Sequence, residues 1–244
     1  MILTLNEIKD EQGWELIVNN VKDEKRLVGE AAAKYIEDGM IVGLGTGSTV
    51  YYTIVKLAER IKEENMTIQA VSTSKRTTEL ALSLGIPILD LNEVTHVDLT
   101  IDGCDEFDPE LNGIKGGGGA LLFEKIVANA SNKNIWVADS SKAVTQLGKF
   151  PLPVEVLPFG YTHVLKQCED EGLHPVLRKT SEGDTYYTDS GNVIIDLHIG
   201  KIEDVRALST WLNAIPGVIE NGLFIQMTQK VIFIKEDQIQ EMNR

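Results

Sequence analysis

Residues 40–64 read MIVGLGTGSTVYYTIVKLAERIKEE: a short apolar run that passes through three glycines and then takes up helical spacing. A strand entering a helix through a glycine turn is where doubly wound α/β domains bind phosphate, because the free N–H groups of the first helical turn face the loop. The amides of Gly45, Thr46, Gly47, Ser48 and Thr49 can converge on an anion there, with the hydroxyls of Thr46, Ser48 and Thr49 adding donors. Neither common nucleotide pattern is met. Counting from Gly43, the third glycine of G-x-G-x-x-G is Ser48, and no Gly-Lys-Ser/Thr follows. The next strand ends VSTSKR, without the acid that would hold a nicotinamide ribose. Three hydroxyls among three glycines favour a monophosphate; a tight turn with a Ser or Thr helix cap is the plainer alternative.

Outward from this loop, strands and helices alternate. A helix is expected over Asp23–Glu37, where Leu27, Val28, Ala31, Ala32, Tyr35 and Ile36 recur at helical spacing before Asp38-Gly39. TIQAVSTS (67–74), PILDL (87–91), VDLTID (97–102) and NIWVADSSK (134–142) read as strands, and KRTTELALSLG (75–85) as a helix. That order predicts an α/β, doubly wound (Rossmann-like) sheet domain. Three prolines in LGKFPLPVEVLPFG (147–160) mark a crossing. Beyond it the order is strand 154–157, helix 161–171, strands 174–180 and 192–199, helix 203–214 and strand 217–220, which is the ferredoxin-like α+β pattern. LFIQMT and KVIFIKED then read as strands that return to the first domain. The expected domains are therefore 21–148 with 222–244, and 149–221, preceded by an extension, 1–20, read as an amphipathic helix.

Composition narrows the function. The chain has 244 residues, 43% hydrophobic and 25% charged, and a net charge of −14 that argues against a general nucleic-acid binder. Two cysteines in unrelated settings, Cys104 and Cys168, speak against a disulfide framework and fit a reducing cytoplasm. No segment approaches the roughly 20 apolar residues of a membrane span.

The chemistry concentrates in Val97–Ala130, VDLTIDGCDEFDPELNGIKGGGGALLFEKIVANA. Asp102 should reach the carboxyl end of its strand, the edge where α/β ligands sit, and Asp105 follows in the turn. Lys115 precedes Gly116–Gly119, whose bare amides before a helix form an anion nest able to hold an oxyanion. Glu124 falls within the first two turns of that helix. A carboxylate that removes a proton beside a carbonyl, donors that hold the enediolate and a second acid/base together make an aldose–ketose isomerase. With Lys115 and the amides present, no metal and no cofactor are expected. The acidic turn 102–108 could instead be solvated or bind Mg²⁺, and Cys104 reads as a small packed residue.

These segments resemble the type A ribose-5-phosphate isomerase family. The resemblance spans about 21–235 and rests on GLGTGST, TSKRTTELA, DGCDE, IKGGGGALLFEKIVA, ADSSK, FPLPVEV and DSGNVIID in the family's order. It implies interconversion of D-ribose 5-phosphate and D-ribulose 5-phosphate through a cis-enediolate, in the pentose phosphate pathway, by a homodimer or homotetramer. It implies a phosphosugar loop at Thr46–Thr49, substrate contacts at Asp102, Gly103, Cys104 and Asp105 and at Lys115–Gly118, a proton-abstracting Glu124, and basic contacts from Lys142 and Lys25. Asp102 would assist ring opening and Asp105 position hydroxyls. Phe123 stands where an arginine is common, and the extension lies outside the family core. A sugar-phosphate sensor would need a DNA-binding module that 1–20 is too short and acidic to supply. A coenzyme A transferase would be distinguished by a covalent glutamyl adduct.

Overall fold

The computed structural model describes residues 8–10, 13–15 and 21–244. In chain order the elements are β1 (Ile8–Asp10), β2 (Gly13–Glu15), α1 (Val21–Ala33), β3 (Ile41–Leu44), α2 (Val50–Glu64), β4 (Gln69–Ser72), α3 (Lys75–Ser83), β5 (Val97–Gly103), β6 (Glu106–Phe107) and β7 (Gly113–Ile114). They continue with α4 (Leu121–Asn129), β8 (Ser131–Ala138), β9 (Leu152–Val156), α5 (Tyr161–Asp170), β10 (Pro175–Leu177), β11 (Val193–Leu197) and α6 (Val205–Asn213). The last four are β12 (Val218–Asn221), β13 (Leu223–Phe224), β14 (Lys230–Lys235) and β15 (Gln238–Asn243).

The larger sheet has the order β15-β14-β8-β5-β3-β4, parallel except for the β14–β15 hairpin. Its inner strands are apolar on both faces because both are covered. Ile135 and Val137 of β8 join the core under α1 and α2, while Trp136 and Ala138, one residue out of phase, join the core under α4. In α2, Val50, Ile54, Leu57 and Ala58 lie on the buried stripe. The helix ends at Asn65 in a left-handed conformation that returns its N–H to the Ile61 carbonyl. All carboxyl ends of the parallel strands point to one edge, and the ligand-facing loops gather there.

The second sheet, β10-β11-β9-β12, is antiparallel throughout. With α5 and α6 packed on it, this is the ferredoxin-like arrangement, its core built from Val154, Val156, Ile195, Val164, Leu212 and the buried Cys168. A three-stranded ribbon, β13-β7-β6, joins the segment leaving this sheet to the turn after β5. The fold is thus α/β, a doubly wound sheet with a smaller ferredoxin-like sheet.

Three local expectations differ from the structure. PILDL makes a single parallel bridge, Ala70 with Ile88, because it lies at the outer edge beyond β4. Helix α1 stops at Ala33 rather than Glu37: the next turn tightens, and the Arg60 guanidinium donates to the Ala33 and Ile36 carbonyls. Of the helix expected over 1–20, Ile8–Asp10 and Gly13–Glu15 pair instead as antiparallel strands. The remaining positions of that expectation lie outside the described residues.

Candidate active site

Gly45 is where β3 meets β5. A Cβ there would lie 2.1 Å from Asp102 Oδ1, so only glycine lets the loop cross the strand end. Asp102 Oδ1 accepts from the Thr46 amide at 3.0 Å and from its own neighbour Gly103 at 2.7 Å. Thr46 lines the cleft as expected of the loop, but its hydroxyl is engaged within the protein. It bonds Thr73 and Ser74 at 2.8 Å each and Thr77 at 3.3 Å, tying the loop to the start of α3. Gly47, Ser48 and Thr49 line an open cleft of about 260 Å³ in front of the α2 N-terminus. Ser48 Oγ accepts from Lys25 Nζ at 3.0 Å, and Lys142 reaches the same cleft from the turn after β8.

Three buried ionisable groups stand in a row, from the cleft wall inward. Asp102, Lys115 and Glu124 are 2%, 2% and 4% exposed, so their charges must balance one another rather than be solvated. Lys115 Nζ lies 3.0 Å from Asp102 Oδ2 and 3.3 Å from Glu124 Oε2, and donates to the Gly103 carbonyl. Burial opposes the ammonium, but Asp102 and Glu124 more than offset it and hold Lys115 above its ordinary range. The two carboxylates are not equivalent. Burial raises both, but Asp102 has Lys115 and two backbone N–H groups opposing the rise. Glu124 Oε2 has no partner apart from the Lys115 ammonium 3.3 Å away. Burial first, then repulsion from Asp102, pushes Glu124 up to about 8 against the pull of Lys115. Both carboxyls are thus held above their ordinary range, and Glu124, lifted further, is poised to exchange a proton near neutral pH.

Lys115, Glu124, Asp105, Gly103, Cys104, Gly116 and Gly118 face the cleft; Asp102 and Gly117 do not. Asp102 lies behind Lys115 with both oxygens engaged, so the direct contact expected of it is absent from this geometry. Gly117 donates to Asp105 Oδ2 at 2.7 Å, which fixes that carboxylate at the rim. The Cys104 thiol is pushed up by burial and stays protonated. Among the described residues, no cluster of three or more His, Cys, Asp or Glu side chains is placed to hold a metal ion.

Four residues here had no distinct signal. Arg76, in TSKRTTELA, lines the cleft near Gly118 without an ion-pair partner among the described residues. Asp139 accepts from Ser141 N at 3.1 Å and pairs with Lys25 at 3.8 Å. Glu24 accepts from Ser140 N and Oγ at 2.7 and 2.9 Å, seating the turn that carries Lys142. Arg178 arrives from the smaller sheet. Acids inside an apolar helical stripe, such as Glu24, were the one available hint. Phe123 is exposed on α4, and two residues on Lys125 pairs with Glu220 at 2.8 Å.

Residues 69–238 match the family described as ribose 5-phosphate isomerase A (phosphoriboisomerase A). Ribose-5-phosphate isomerase A of Enterococcus faecalis is 54% identical over 213 residues, covering 87% of this chain and 94% of that protein. That of Levilactobacillus brevis is 52% identical over 219 residues, covering 90% and 96%. The structure of ribose 5-phosphate isomerase A from Methanocaldococcus jannaschii is similar with a TM-score of 0.88 at 38% identity, covering 92% of this chain and all (100%) of that one. A D-ribose-5-phosphate isomerase in complex with phospho-erythronic acid gives 0.89 at 38% identity over the same shares.

Proposed function

This chain belongs to the ribose 5-phosphate isomerase A family, and from that premise we infer that it interconverts D-ribose 5-phosphate and D-ribulose 5-phosphate. The two sugars differ only in which of C1 and C2 carries the carbonyl, so the reaction moves one proton between carbons and one between oxygens. The observation that carries the reading is Glu124, buried in the cleft wall with Oε2 facing only the Lys115 ammonium, in the same cleft as the loop at Gly47–Thr49.

The phosphate sits against the amides of Gly47–Thr49, with Lys25 and Lys142 supplying charge. Asp105, at the rim, takes the O1 proton and passes it to the ring oxygen O4 as the C1–O4 bond of the furanose breaks; Asp102 acts on Lys115 rather than on the sugar. Ionised Glu124 removes the C2 proton, and the electron pair forms the C1–C2 double bond of a cis-enediolate with its charge on O1. Lys115 and the Gly118 amide hold that charge. A proton passes from O2 to O1, and Glu124 returns its own to C1, leaving the ketone at C2. A base lifted to about 8 is a stronger acceptor for a carbon-bound proton than an ordinary glutamate.

We further propose that the enzyme works without metal or cofactor, as a homo-oligomer in the cytoplasm, in the non-oxidative pentose phosphate pathway. Supporting association, Phe159 is 90% exposed in the segment that follows β9, where Leu157 is exposed too, and Ile219 is exposed on β12, the neighbour of β9. The test is turnover of ribose 5-phosphate by purified, EDTA-treated protein. Full activity is expected; activity that vanishes on chelation and returns with Mg²⁺ or Mn²⁺ reassigns Asp102 and Asp105 as ligands.

A further inference from the structure

The glycine turn 116–119 has little of its own to fix which way its peptides face. Gly116 and Gly119 have φ of +107° and +79°, and a glycine backbone rotates at small steric cost. The turn closes through Gly119 N to the Gly116 carbonyl at 2.9 Å. Arg178 supplies what remains. Its Nη1 donates to the Gly116 carbonyl at 2.8 Å and to the Gly117 carbonyl at 3.2 Å. Its Nε and Nη2 are fixed on the two oxygens of Asp196 at 2.8 and 2.5 Å. The guanidinium is thus a rigid fork with one prong set held by the smaller sheet and the other on the loop.

In a trans peptide the C=O and the following N–H point in opposite directions. Holding the Gly116 carbonyl on Arg178 turns the Gly117 N–H to the other side, where it meets Asp105. Holding the Gly117 carbonyl likewise turns the Gly118 N–H away from Arg178. Gly118 lines the cleft, and among the described residues its amide has no acceptor. We infer that Arg178 is a positioning residue of the reaction: by gripping two successive carbonyls it aims the Gly118 amide at the enediolate oxygen and keeps Asp105 on Gly117. This rests on the reading of the glycine turn as the side that receives the developing charge.

The test uses Arg178→Ala and Arg178→Lys in the full chain. It compares kcat and KM for ribose 5-phosphate with the inhibition constants of phospho-erythronic acid and of inorganic phosphate. Phospho-erythronic acid places a carboxylate where the enediolate oxygens form, whereas inorganic phosphate needs only the loop and the lysines. Outright loss of such a donor costs about 10²–10³-fold in kcat. A misaimed one is expected to cost about 10–10²-fold in Arg178→Ala, with a matching loss for phospho-erythronic acid and inorganic phosphate within about twofold. Arg178→Lys, which keeps a charge beside Asp196 without the fork, is expected to show the same selective loss, and carries the test should the alanine variant not fold. Wild-type kcat in either variant, or equal weakening of both ligands, overturns the inference. A failure of the underlying reading shows elsewhere: the wild type would then not turn over ribose 5-phosphate, or would bind phospho-erythronic acid no better than phosphate.

Discussion

Glu124 carries two separable properties, its place and its proton. Glu124→Gln keeps the shape and removes the base, so kcat is expected to fall by about 10²–10⁴-fold while inhibition by inorganic phosphate changes little. Steady-state kinetics within about threefold of wild type would remove Glu124 from the chemistry. Because only the ionised form accepts the C2 proton, kcat/KM should climb about tenfold per pH unit below about 8 and level off above it. A plateau reached below pH 6 would contradict this. Stability should run the other way. The folded carboxyl keeps its proton up to about 8, whereas the unfolded one loses it near 4.5, so wild-type stability falls as pH rises through that window. Gln does not ionise, so the melting temperature of Glu124→Gln relative to wild type should rise from pH 5 to pH 9; a constant difference would mean that the glutamate is already charged at pH 5.

At the scale of the loop and its neighbours, the cleft combines backbone donors with side-chain cations. Lys142 brings a charge and Ser48 a neutral hydroxyl, and charge-assisted bonds are roughly twice as strong. Lys142→Ala should therefore raise KM for ribose 5-phosphate more than Ser48→Ala does, and should matter little for unphosphorylated ribose; equal effects on both sugars would place Lys142 away from the phosphate. Much of this element was legible beforehand, for physical reasons. Strands covered on both faces, β3, β5 and β8, read as apolar runs, and a glycine turn opening α2 announces its N–H groups. The side-chain directions were not legible. The Thr46 hydroxyl turns back into a buried cluster with Thr73, Ser74 and Thr77, and no local pattern distinguishes that from facing outward. Asp102 reads as a strand-end acid, but its retreat behind Lys115 follows from contacts across the sheet. Arg76 and Arg178 lie on exposed or short elements without periodicity, so nothing in the chain marks them as neighbours of the glycine turn.

Across the whole molecule, the two sheets are fastened to the same helix and turn that present Glu124 and Lys115. Lys125, next to Glu124, donates to Glu220 at 2.8 Å and to the Asn221 carbonyl at 2.6 Å, under a shell that excludes most water. Removing one partner of this partly exposed pair strands the other, so Lys125→Met should lower unfolding free energy by about 1–3 kcal/mol in urea titrations. An unchanged midpoint would make the tie dispensable. The return of the chain from the smaller sheet has a further effect. Gly222 donates to the Pro153 carbonyl at 2.7 Å and accepts from the Lys115 amide at 2.9 Å, and a Cβ there would lie 2.4 Å from the Lys115 carbonyl oxygen. Inheritance of this enzyme is therefore constrained at a position that does not line the cleft. In a survey of all single replacements scored by turnover, Gly222 should tolerate as little as Lys115 itself, and an alignment of descendants should find it frozen while its neighbours drift.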